Sequence, residues 1–140
     1  MSEVTVVAGK AALDLRDRLG REINAFNIAA TGYRDARHLT LAVHADDSDL
    51  LAGLNGWTWG GCGYIELLWV REDQRGNGLG TRLLAAAEAE ARIRGCDRVT
   101  LTTHSFQAPG FYARHGYAEC GRTPGYPSGH DHVHLVKRLQ

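Results

Sequence analysis

Apolar residues along this chain recur at two different periods, and the switches between them mark out the elements. SEVTVVAG (2–9) reads as a short edge strand. From 10 to 30, Leu13, Leu15, Leu19, Ile23, Phe26 and Ile28 largely recur at helical spacing, while Gly20 and Gly32 suggest a break and an end. Two short helices are expected there. HLTLAV (38–43) alternates as a strand does, ADDSD (45–49) is a turn, and LLAGLNGWTW (50–59) is the return arm of a hairpin. Gly53 and Gly56 in that arm point to a bulge or a close backbone approach. YIELLWV (64–70) is nearly continuously apolar and β-prone, the pattern of a central strand covered on both faces.

A glycine-rich turn comes next, then an apolar stripe of Leu83, Leu84, Ala87 and Ala91 that predicts a helix stopping at Gly95. Arg82, Glu88, Glu90 and Arg92 fall largely outside the stripe, as a solvated face should. VTLTTH (99–104) is a further strand, and 108–114 a short helix with Pro109 in its first turn. YAECGR and HVHLVKRL form two last strands joined by TPGYPSG. This order predicts an α+β fold with a mixed sheet rather than a doubly wound one, in a single domain spanning 1–140.

Composition narrows the function. Sixteen basic residues balance sixteen acidic ones, so the global basic excess of a nucleic-acid-gripping protein is missing. The N-terminus lacks the pattern of a secretory signal, and the longest uncharged run (50–65) is too short and too glycine-rich for a membrane span. Neither nucleic acid nor membrane is expected as a partner. Three cysteines without metal or redox spacing (Cys62, Cys96, Cys120) suggest buried thiols in a reduced, cytoplasmic setting.

The chemistry concentrates in VREDQRGNGLGTRLL (70–84), where Gly76, Gly78 and Gly80 stand directly before a strong helix. Helix N-termini carry unpaired N–H groups and a partial positive charge. Glycines let those groups crowd around an anion, and Arg75 and Arg82 flank the turn, so the unit reads as a pyrophosphate cradle. It is neither G-x-G-x-x-G nor a P-loop.

This stretch resembles the acetyl-coenzyme A signature of the GNAT N-acetyltransferase superfamily, R/Q-x-x-G-x-G/A, here Arg75 to Gly80. SFQAPGFYARHGY is similar to the family's second segment, N-x-x-A-x-x-F-Y-x-K/R-x-G-F/Y, with Ala108, Phe111, Tyr112, Arg114, Gly116 and Tyr117 in place and Ser105 where many members have Asn. The resemblance implies a central, mostly antiparallel twisted sheet of six to seven strands flanked by about four helices. It implies acetyl transfer from acetyl-CoA to an amine by direct attack, with no metal. The coenzyme would be held by Leu68 and Val70 through their backbones, by Arg75, Gly76, Asn77, Gly78, Gly80 and Thr81, and by Ser105. Glu66, a carboxylate inside an apolar strand, would be the general base, and Tyr112 would return a proton to the leaving thiolate.

The acceptor is expected to be a small-molecule amine, since no long acidic run favours a basic protein tail. Its pocket is expected from Asn24, Phe26 and Asn27, from Trp57 and Trp59, and from Tyr126 and His130 beside the TPGYPSG loop. His104 is a further acid/base candidate. His130, His132 and His134 would share one strand face, but strand rise separates successive ones by about 6.6 Å, too far for easy convergence on one ion. Three other readings compete: a non-catalytic acyl-CoA sensor on the same fold, a peptide or protein lysine acetyltransferase, and a structural or interaction domain whose glycine turn is only a connector. The family also admits a homodimer through the C-terminal strands.

Overall fold

The computed structural model describes residues 4–9 and 12–140, and its contacts divide the chain after Arg34 into two compact units. The first unit holds one helix, α1 (Leu13–Thr31). It runs through Gly20 without a break, so the expected pair of helices is a single one. One interior glycine costs about 1 kcal/mol, which the flanking turns and an Arg18–Glu22 pair four residues apart can offset. Its end is as expected: Gly32 adopts a left-handed conformation and its N–H bonds the Ile28 carbonyl at 2.8 Å. No residue of α1 is buried. Residues 4–9 form no strand, which corrects that part of the expected edge strand, and positions 2 and 3 lie outside the described residues.

The second unit is a six-stranded sheet with two helices. Its elements are β1 (Arg37–His44), β2 (Leu50–Trp59), β3 (Cys62–Val70), α2 (Leu79–Ile93), β4 (Arg98–His104), α3 (Pro109–Arg114), β5 (Ala118–Pro124) and β6 (Asp131–Arg138), with a single 3-10 turn at Glu72–Gln74. Strand order is β1-β2-β3-β4-β6-β5, and every pairing is antiparallel except β3 with β4. The mixed α+β architecture is the expected one, with three helices among the described residues where about four were expected.

Alternation builds the core. Leu39, Leu54, Ile65, Val99, Leu101, Val133 and Leu135 point to one side of the sheet, where Leu84, Ala87 and Ala91 of α2 meet them, with Tyr112 and Tyr117. Each such side chain contributes about 1.5–3 kcal/mol by leaving water. On the opposite side of β3 Leu67 is 62 % exposed and Trp69 46 %, so within this unit the apolar run is not covered on both faces as its sequence suggests. Cysteines also depart from expectation, since only Cys96 is buried while Cys62 is half-buried and Cys120 exposed; all three are free thiols. No helix among the described residues is long and apolar enough to cross a membrane.

Glu88 corrects a further expectation. It lies inside the buried stripe of α2, 5 % exposed, rather than on a solvated face. Its carboxylate accepts from the Tyr117 hydroxyl (2.9 Å) and the Lys137 ammonium (2.7 Å). Helical spacing places position 88 beside Leu84 and Ala91, so only its partners on β6 and before β5 make burial tolerable. Burial, then the Glu88 charge, pushes the Tyr117 phenol well above its usual range, which keeps it a donor. Removing one member of a buried ion pair leaves the other uncompensated. Lys137→Met is expected to lower unfolding free energy by about 3 kcal/mol in denaturant titrations. The triple change Glu88→Leu, Tyr117→Phe, Lys137→Met should recover most of that loss; an equal or larger loss in the triple would mean the network stabilises rather than merely satisfies itself.

Candidate functional site

The site begins where β3 and β4 part. Their parallel pairing covers only Cys62–Ile65 with Arg98–Leu101, and beyond it β3 runs on beside β2 alone. The Arg71 N–H bonds the Leu51 carbonyl on β2 at 2.8 Å. Strand alternation then turns the N–H and C=O of Leu68 and Val70 the other way, toward the gap. The Val70 carbonyl is met there by Arg75 Nε at 3.0 Å, so Arg75 folds back and braces the end of β3. The gap is one wall of a cleft of about 430 Å³.

The glycine turn forms the next wall. Gly76 and Gly78 have φ of 80° and 83°, a region costly for any residue with a Cβ. Gly78 is the N-cap of α2 and supplies no side-chain cap, so the first N–H groups of α2 remain open to a ligand. Gly80 serves differently: a Cβ there would stand 3.4 Å from the Phe111 ring, which lines the cleft opposite. Thr81 and Arg114 complete the rim, and the Thr81 hydroxyl lies 3.1 Å from His115 Nε2.

Tyr112 closes the cleft from α3 and is 7 % exposed. Its ring meets Phe111 and Tyr117 edge-on at 5.1 and 5.7 Å. Burial raises the pKa of its phenol, so it holds its proton at neutral pH and can donate one.

Glu66 sits at a bulge. Asn55 pairs with Leu67 and Gly56 with Ile65, which leaves Glu66 as the extra residue of β3. Bulges re-aim a side chain, and this carboxylate accepts a hydrogen bond from Asn55 Nδ2 at 3.2 Å. Gly56 permits the local approach, since a Cβ there would lie 2.0 Å from the Tyr64 carbonyl oxygen; the bulge signal read from that glycine is real. Glu66 is half-buried, not enclosed, and does not line the cleft.

Of the residues expected to hold a coenzyme, the cleft gathers Leu68, Val70, Arg75, Gly76, Gly78, Gly80 and Thr81. Asn77 is exposed outside its lining. Ser105 is exposed too; its N–H donates to the Asp131 carbonyl and its hydroxyl oxygen accepts from the Asp131 N–H, tying β4 to β6. Gln74 and Leu79 line the cleft without having been singled out; lying inside the 70–84 motif, they were within reach of it.

The acceptor candidates are scattered more widely. Asn24, Phe26 and Asn27 belong to α1, in the other unit, where the Asn27 carbonyl accepts the Thr31 hydroxyl. Trp57 is exposed and packs on Tyr64 at 4.7 Å between ring centres, while Trp59 is half-buried. Tyr126 and His130 lie in one tight loop, with the Gly125 and Tyr126 N–H groups both bonding the His130 carbonyl. His104 Nδ1 reaches the Tyr126 carbonyl at 2.9 Å and its ring stacks on His132 at 4.5 Å. Burial, then His104 and His134, lowers the His132 pKa and favours its neutral form. His130 faces Phe106 instead of joining His132 and His134. Among the described residues no three His, Cys, Asp or Glu side chains are grouped to hold a metal ion.

Comparison with known proteins agrees with this geometry. The profile of the Acetyltransferase (GNAT) family matches residues 12–117. An acetyltransferase of Agrobacterium fabrum is 39 % identical over 115 residues, covering 82 % of this chain and 84 % of its own. Blasticidin-S acetyltransferase of Streptomyces morookaense is 46 % identical over 95 residues, 65 % of this chain and 68 % of its own. A crystal structure described as an acetyltransferase from Agrobacterium tumefaciens superposes with a TM-score of 0.89 at 34 % identity, over 98 % of this chain and 100 % of that one.

Gly78→Glu puts a carboxylate, at positive φ, among the N–H groups of α2. Calorimetric affinity for acetyl-CoA is expected to fall by about 100-fold or more, from charge repulsion and backbone strain. Unchanged affinity in a folded variant would mean the turn is only a connector.

Proposed function

Because this chain belongs to the acetyltransferase (GNAT) family and is an acetyl-CoA-dependent acyltransferase, we propose that it acetylates a primary amine of a small molecule by direct attack within a ternary complex. The observation that carries the reading is the cleft joining the side of Leu68 and Val70 that faces away from β2, the glycine turn and Tyr112. A coenzyme diphosphate would lie against the open N–H groups of α2, and the pantetheine arm along β3. A β3 N–H would polarise the thioester carbonyl.

In the chemical step the amine nitrogen bonds the acetyl carbon, and the carbon–sulfur bond breaks. Glu66 takes the proton the amine gives up, directly or through water. Tyr112 gives its phenolic proton to the leaving thiolate and regains one from solvent. The reading of the acceptor as a small molecule is supported by the similarity to Blasticidin-S acetyltransferase. Trp57, Trp59, Tyr126 and His130 are its proposed contacts in this unit. The family match runs from 12 to 117, across both units, which supports reading 1–140 as one acetyltransferase domain. A cytoplasmic setting belongs to the same proposal, supported by three unpaired thiols.

Glu66→Gln is expected to lower kcat about 100-fold in a free-thiol release assay over a panel of amines that includes blasticidin S, leaving acetyl-CoA affinity unchanged. Tyr112→Phe should also lower kcat at constant affinity. Because burial raises the Tyr112 pKa, no fall in kcat owed to this residue is expected below about pH 10. Tight coenzyme binding with no turnover on any amine, in wild type and variants alike, would instead make the protein a sensor.

A homodimer through the C-terminal strands completes the proposal, supported by the position of β5 at the edge of the sheet. Light scattering is expected to give twice the chain mass; a monomer at assay concentration removes this part alone.

A further inference from the structure

His115 ends α3 beside the phosphate cradle, and nothing in the reaction above uses it. Its Nε2 stands 3.1 Å from the hydroxyl of Thr81, a residue of the first turn of α2 that lines the cleft. Its ring is held edge-on to Phe111 at 4.8 Å, so the imidazole is braced by the side chain that also packs against Gly80. A second side chain therefore stands behind the rim of the cradle.

A threonine hydroxyl has one proton to donate. If His115 Nε2 is bare, it must accept that proton, and Thr81 then turns lone pairs toward any phosphate in the cradle. If Nε2 carries a proton, the bond runs the other way, from Nε2–H to Oγ1, and the Thr81 hydroxyl is free to donate to a phosphate oxygen. A neutral imidazole with its proton on Nε2 is enough for this.

We propose that His115 is a positioning residue for the coenzyme diphosphate, donating from Nε2–H to the Thr81 oxygen and so setting the Thr81 hydroxyl as a donor toward the phosphate. The inference rests on the acetyl-CoA reading of the cleft and adds to it a residue that acts through Thr81.

The test is calorimetric titration with 3′-dephospho-acetyl-CoA, a probe that keeps the diphosphate and lacks the separate phosphate monoester. His115→Gln, which can place a fixed N–H donor on Thr81, should keep most of the wild-type affinity, and His115→Leu should weaken binding about tenfold. Thr81→Val should weaken binding, and adding His115→Leu to it should cost little more, because the histidine acts through the hydroxyl. Full affinity in a folded His115→Leu variant would overturn the inference and leave the acetyl-CoA reading standing. Additive losses in the double variant would overturn it too. No binding of either acetyl-CoA or its dephospho form by folded wild type would sink both readings together.

Discussion

Parallel pairing between β3 and β4 ends at Ile65 and Leu101, and most of the functional geometry follows from that early stop. A central strand whose backbone groups were all paired with both neighbours would have nothing to offer a ligand. Here β3 continues to Val70 with one side bonded to β2 and the other facing a gap. Unpaired backbone groups are costly where water is excluded, so such an edge inside a sheet is maintained only if solvent or a ligand fills it. The cleft lined by Leu68, Val70, the glycine turn and Tyr112 is that space. Arg75 closes its far end by donating to the Val70 carbonyl, which links the start of the cradle to the end of the strand.

Two carboxylates show how differently the same group can be held. Glu66 is displaced at a bulge, half-buried, and bonded to the neutral Asn55 amide. Glu88 is buried between a phenol and an ammonium and is committed to both. Tyr117 donates to Glu88 while its ring supports Tyr112, so the polar cluster behind α3 also fixes the wall of the cleft. Packing and chemistry share the same short helix.

Several features of the site could be read directly from the residues. The turn at Gly76 and Gly78, the helix behind it and the second segment around Phe111 and Tyr112 are local motifs, and each appears where its residues place it. Gly56 announced the bulge because only a missing Cβ tolerates a carbonyl at that distance. Position 88 could not be read this way, because a glutamate four residues from Leu84 looks like a solvated neighbour until Tyr117 and Lys137 are brought to it. The contact of Ser105 with Asp131 is equally hidden from the sequence, since the partner lies 26 residues away and no local pattern names it.

By itself the sequence determined what depends on short range. It set the alternation of strands, the helical stripe of α2, the turns that demand glycine, and the pairing of two motifs that marks the acetyltransferase family. These are properties of backbone sterics and side-chain period, which act over a few residues. Tertiary structure alone decided the order of strands, the point at which β3 and β4 separate, and which polar side chains find partners. It also decided which side chains of β3 stay exposed within their unit. Those outcomes depend on what arrives from distant parts of the chain, and pattern along the sequence carries little record of it.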